Sequence, residues 1–122
     1  MTQEEKKDLL LKDLCARVPY GVKVQYMNNI FVIDYVSSYE EVKLDTSDNW
    51  TVGVSEVKPY LFPLSSMTEK QKKEYQYITE RWMYDPSYSI SDSTDWLNKN
   101  HFDYRGLIEK GLAIDATGLN IY

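Results

Sequence analysis

The sequence predicts an α+β domain, and three observations carry that expectation. A helical apolar repeat lies ahead of Pro19, period-two alternation recurs in four short runs between Val22 and Val54, and helical patterns with cap residues return after Thr68. The expected architecture is an N-terminal helix, a four-stranded antiparallel meander made of two hairpins, an extended segment, and two to three C-terminal helices. The chain has 122 residues, which suits a single domain spanning 1–122.

The first helix is announced by Thr2 and Glu5, spaced as in a capping box. Leu10, Leu11, Leu14, Cys15 and Val18 follow at helical spacing as one apolar stripe, in which Cys15 reads as a small core hydrophobe. Pro19 disfavours helical backbone at Val18, so the helix ends by about Arg17. Next, two alternating runs flank Asn28-Asn29, a pair that tolerates the positive φ of a two-residue hairpin turn. Folding there sets Tyr26 opposite Phe31, Val24 opposite Ile33 and Val22 opposite Tyr35 on one apolar face. Lys23 then lies across from Asp34, and Gln25 across from Val32, on the other face. A second hairpin joins Glu41–Leu44 to Trp50–Val54 through the turn-forming residues Asp45 to Asn49. It turns Val42, Leu44, Trp50, Val52 and Val54 toward the core.

Pro59 and Pro63 argue that the run from Val57 to Leu64 is an edge strand or an extended segment lying over the sheet. Thr68 caps a second helix, with Gln71 at the capping-box position, and the pattern runs to about Tyr84. Glu69 and Lys73 suit an ion pair on this helix, and Tyr75, Ile78 and Trp82 form its narrow apolar stripe. Asp85-Pro86 breaks it. After a polar loop from Ser87 to Ser93, a short helix holds Asp95, Trp96 and Leu97. Asp103 is placed to cap a last helix of about two turns. Gly111 closes that helix, with Leu112 folding back toward Leu107.

Composition excludes several functions. A net charge of -5 argues against general nucleic-acid affinity, which needs a basic face; the one dense cluster, Lys70, Lys72 and Lys73, is diluted by Glu69 and Glu74. A single cysteine excludes an intramolecular disulfide and a multi-cysteine zinc site. No apolar run approaches the roughly 18 residues of a membrane span. No signal core follows the N-terminus, so a cytoplasmic setting without membrane attachment is expected. His101 is the sole histidine, and no glycine-flanked serine resembles a nucleophile elbow. Asp45 and Asp48 share a turn too short for a calcium loop, and the five glycines form no phosphate-binding pattern. No catalytic residue, metal or cofactor is therefore assigned.

The informative excess is aromatic: eleven tyrosines and three tryptophans. Such side chains serve core edges and binding surfaces alike. Two stretches concentrate them: Pro59 to Pro63, with Tyr60 and Phe62, and the run from Trp82 through Tyr84 and Tyr88 to Trp96, Phe102 and Tyr104. Trp96, His101, Tyr104 and Arg105, together with Tyr60 and Phe62, are the candidate binding residues. Three stretches, Val18 to Val24, Pro59 to Thr68 and Asp95 to Ile108, carry a resemblance: through them the sequence resembles small, uncharacterised proteins of gut bacteria and their phages or other mobile elements. It implies a small accessory protein and transfers no site. The leading expectation is a non-enzymatic interaction or regulatory module whose partner is another protein. The alternatives are a small enzyme using a carboxylate or histidine site, and an acidic mimic of nucleic acid.

Overall fold

A computed structural model of the chain describes residues 1–48, 50–81, 83–87, 89 and 91–122. Helix α1 spans Gln3–Arg17 and begins as its sequence dictates: Glu5 N donates to Thr2 Oγ1 at 3.1 Å, and Thr2 N donates to Glu5 Oε1 at 3.5 Å. A single tight turn, Val18–Tyr20, carries the chain away, and Gly21 takes the left-handed conformation that reverses it. The buried face of α1 is Leu10, Asp13, Leu14 and Arg17, spaced at i, i+3, i+4 and i+7. Cys15 is exposed, contrary to expectation. It lies about 140° around the helix from Leu10. The stripe is centred nearer Leu10 because Asp13 and Arg17 neutralise each other and enter the interior as a pair.

The sheet is mixed. Strands β1 (Lys23–Tyr26), β2 (Asn29–Val36), β3 (Glu41–Leu44) and β4 (Val52–Gly53) form the expected antiparallel meander. The sheet continues, however, through β5 (Lys58–Pro63), β6 (Phe102–Asp103) and β7 (Ile114–Asp115). The order is β4-β3-β2-β1-β5-β6, with β7 also paired to β5. The four-stranded meander is thus corrected to part of a larger sheet, and β5 is internal rather than an edge. Its prolines are tolerated by position. Pro59 lies within a two-rung antiparallel pairing to β1, and Pro63 is the last residue. Between them Phe62 N donates to His101 O at 2.8 Å, and Leu61 O accepts from Ala116 N at 2.8 Å. β6 and β7 run parallel to β5.

The first hairpin turns one residue earlier than expected. Met27 and Asn28, at φ 48° and 65°, occupy the two left-handed positions of a two-residue turn. Asn29, braced by its Nδ2 donating to Met27 O at 3.3 Å, becomes the first residue of β2. Tyr26 therefore pairs with Asn29, Val24 with Phe31, and Lys23 with Val32. This displaces the pairing by two residues, which leaves the side chains from Val22 to Tyr26 and from Phe31 to Ile33 on their expected faces. Val22, Val24 and Ile33 are buried, with Tyr26 and Phe31 against the same core. The Lys23–Asp34 pairing does not form. Tyr35 leaves the face because the ladder is irregular between Ile33 and Tyr35. In the second hairpin Val42, Leu44, Val52 and Val54 are buried as expected. Trp50 stays largely exposed and rests on Tyr26, with ring centroids 5.8 Å apart. Asn49 lies outside the described residues.

Leu10 and Leu14 of α1 close over the valines of the sheet together with Leu61, Leu107 and Ala113. Each buried leucine or valine contributes about 1.5–3 kcal/mol by burial. Helix α2 (Glu69–Arg81) starts with the expected capping box: Gln71 N donates to Thr68 Oγ1 at 3.1 Å, and Thr68 N to Gln71 Oε1 at 2.9 Å. Glu69 pairs with Lys72 rather than Lys73. Tyr75 and Ile78 are half-buried on its inner side, and Trp82 lies outside the described residues. Helix α3 covers Ser91–Lys99. The third C-terminal helix is absent. Asp103 still acts as a cap, accepting from Leu107 N and Ile108 N at 2.9 Å each. Gly111, at φ 73°, still ends the turn, and Leu112 N donates to Leu107 O at 2.9 Å. Start and stop signals lie so close that a single turn satisfies both.

Candidate functional site

The end of α3 builds the site. His101 N donates to Asn98 O at 3.1 Å, and His101 adopts φ 62°, a left-handed conformation usual for glycine or asparagine. This reversal aims the His101 carbonyl at Phe62 N and starts β6 alongside β5. It costs about 1–2 kcal/mol in a residue with a Cβ.

A row of rings results. Tyr75 of α2 meets Trp96 of α3 at 5.6 Å between centroids, and Trp96 stacks on Phe102 at 5.7 Å. Phe102 meets Phe62 at 6.1 Å, and Phe62 meets Tyr122 at 5.9 Å. Tyr122 lies flat on His101 at 3.7 Å and 12°. Tyr75, Trp96 and Phe62 are half-buried, so the row is open to solvent along part of its length. Beside it a groove of about 240 Å³ is floored by Phe62 and Phe102 and walled by Gln71 of α2 and by Thr117 and Gly118.

Beneath the row lies a charge cluster that the sequence reading missed. Asp13 Oδ2 accepts from Arg17 Nε at 2.8 Å, and its Oδ1 accepts from Arg105 Nη1 at 2.7 Å. Arg17 Nη2 donates to Phe102 O at 2.5 Å. Both guanidiniums face the Tyr104 ring, at 5.3 Å for Arg17 and 4.5 Å for Arg105. Tyr104 Oη donates to Asn98 Oδ1 at 2.9 Å. Two buried atoms, Arg17 Nη1 and His101 Nδ1, have no hydrogen-bond partner among the described residues.

These surroundings set the titration of the two stacked rings. Burial, followed by the charges of Arg17 and Lys23, pushes His101 down to about 4, so its imidazole is neutral near pH 7. Burial of its hydroxyl end pushes the Tyr122 phenol up to about 12, although the residue as a whole is 40% exposed.

The six sequence-nominated residues do come together around α3, β5 and β6, but not as one open patch. Trp96, Phe62, Tyr104 and Arg105 are half-buried, while Tyr60 and His101 are buried. Without the expected last helix, Tyr104 and Arg105 fold inward, and Arg105 pairs with Asp13. Asp13 and Arg17 were legible in principle, since their i, i+4 spacing shares the face of Leu10 and Leu14. Tyr122 carries no sequence signal.

The charged groups are engaged structurally. Asp13 holds two guanidiniums and Asp103 caps two backbone N–H groups, so neither carboxylate orients His101 as an acid–base partner. Among the described residues no group of three histidine, cysteine or acidic side chains is placed to hold a metal ion. No helix among them is long and apolar enough to cross a membrane. Comparison with known proteins finds no matching family model, curated protein or solved structure.

Proposed function

We propose that the chain is a non-enzymatic interaction module that engages a protein partner through the aromatic row. The observation that carries this reading is the unbroken series of ring contacts from Tyr75 to His101, several of whose members stay half-exposed beside a groove. A core needs its rings covered; a contact surface needs rigid rings left accessible, since aromatic anchors in preformed pockets supply most of the energy of protein recognition. Trp96 and Phe62 are the anchors, and the cluster of Asp13, Arg17 and Arg105 holds their support rigid. The resemblance to small accessory proteins of gut bacteria, phages and mobile elements belongs to this proposal as its biological setting, with the cytoplasm as its compartment. The test is capture of partners from lysate of the cells that encode the chain. Parent protein is compared with Trp96→Ala and Phe62→Ala variants whose folds are verified by circular dichroism. A partner retained by the parent and weakened at least tenfold in both variants supports the reading; equal retention by all three overturns it.

A further inference from the structure

The Tyr122 side chain occupies a place that the backbone register reserves for something else. β1 and β5 pair at Gln25 with Lys58 and at Val24 with Pro59, so the next rung would join Lys23 to Tyr60. The rung is not made directly. Instead Lys23 N donates to Tyr122 Oη at 2.8 Å, and Tyr122 Oη donates to Tyr60 O at 2.8 Å. The phenol is a wedge in the ladder, at the point where β5 leaves β1 for its parallel partners. Around its ring stand His101 on one face, Phe62, and the Lys23 ammonium 5.7 Å from the centroid. Three nominated binding residues, Tyr60, Phe62 and His101, are therefore the walls and floor of this slot.

The segment that delivers the phenol is lightly held. Thr117, Gly118, Leu119 and Asn120 are exposed, and Gly118 and Asn120 both have positive φ. Among the described residues, the hydrogen bonds that tie the chain beyond Ala116 to the body are Lys23 Nζ donating to Ile121 O at 2.6 Å and those of the Tyr122 hydroxyl; the rest of the hold is the Tyr122 ring against His101 and Phe62. Under the strap, the buried His101 Nδ1 has no partner among the described residues. The strap satisfies the slot's ring and hydroxyl requirements while leaving one imidazole nitrogen without a hydrogen bond among the described residues.

We propose that this slot is a tyrosine-recognition site: residues 117–122 fill it in cis, and an extended partner segment carrying a tyrosine displaces them and takes over the same hydrogen bonds. The inference rests on the interaction-module reading and names the partner's chemistry. The cis segment competes at the high effective concentration of a tethered group, so the slot opens only to a ligand that adds contacts, for which the Phe62–Phe102 groove beside it provides room.

The test separates the slot from the search for a partner. In a Tyr122→Ala chain, p-cresol supplies the ring and hydroxyl, and toluene supplies the ring alone. p-Cresol is expected to raise the melting temperature of the variant, to shift the His101 imidazole resonances, and to bind about tenfold tighter than toluene, the worth of one hydrogen-bonded hydroxyl. The parent chain shows none of these effects. A peptide of sequence Thr-Gly-Leu-Asn-Ile-Tyr binds the variant at least tenfold tighter than it binds the parent, and loses about tenfold when its tyrosine is phenylalanine. Equal binding of p-cresol and toluene, or no His101 shift with either in a folded variant, overturns the proposal. If Tyr122→Ala does not fold, Tyr122→Phe is tested with the same peptide pair, and indifference to the peptide hydroxyl again overturns it. A partner that depends on Trp96 in a protein whose slot ignores phenols sinks the slot and keeps the module; phenol binding with no Trp96-dependent partner does the reverse.

Discussion

Two arginines, Arg17 and Arg105, converge on the single carboxylate of Asp13, and Arg17 and Asp13 are fully buried. Buried charge is tolerated here because each group has a partner of opposite sign and because the Tyr104 ring faces both guanidiniums. Burial first, and then the positive charges of Arg17 and Lys23, hold His101 down to about 4. The ordinary value is 6.5, so below it the unfolded chain binds a proton that the folded chain refuses. The stabilisation is complete above about pH 6.5 and is lost as the pH falls toward 4, by about 1–3 kcal/mol. Urea unfolding at stepped pH, comparing parent with His101→Asn, measures this. Asparagine accepts the left-handed backbone at that position, so the variant folds and the slope over that interval flattens. An unchanged slope would show that other groups produce it.

At the scale of elements, the first hairpin shows what a sequence pattern settles and what it leaves open. Alternation determined which residues face the core, because faces depend only on parity. The turn position was not legible, because Asn28-Asn29 and Met27-Asn28 give the same faces and differ only in which residue adopts positive φ. Met27 does so while 74% exposed, which means it contributes strain and little packing. Met27→Asn is therefore expected to stabilise the protein by about 0.5–1 kcal/mol, read as a higher urea midpoint at constant m. A destabilised variant would show that the Met27 side chain has a packing role. Other elements follow the same logic. The capping boxes of α1 and α2 were legible because each is a local reciprocal bond. β6 and β7 were not, since two residues cannot display a period and their pairing with β5 is set by distant chain. Cys15 was placed inside and the pair Asp13–Arg17 was overlooked for one reason: a stripe drawn from apolar residues alone leaves out charges that neutralise each other inside.

For the whole molecule, the sequence distances of its contacts predict an order of assembly. The two hairpins close over a few residues, whereas β5 finds β7 by pairing Tyr60 with Ile114, and Arg17 reaches the carbonyl of Phe102 across the chain. Closing such long loops costs entropy before any contact repays it, so the meander and α1 should form first and residues 102–122 should join them late. Two buried side chains report on the two stages: Val24 in the first hairpin and Leu107 in the turn that joins β6 to β7, both with no exposed surface. Leu107→Ala removes packing worth about 2–4 kcal/mol. If that packing is absent from the transition state, the loss falls on the unfolding rate, which rises on the order of a hundredfold, while folding changes by less than about twofold. Val24→Ala, by contrast, slows folding by an amount comparable to its effect on unfolding. Stopped-flow folding and unfolding in urea measure both limbs. If Leu107→Ala slowed folding by most of its destabilisation, the C-terminal stitching would belong to the nucleus. The turn between β6 and β7 would then be part of what initiates the fold rather than one of the last pieces laid over it.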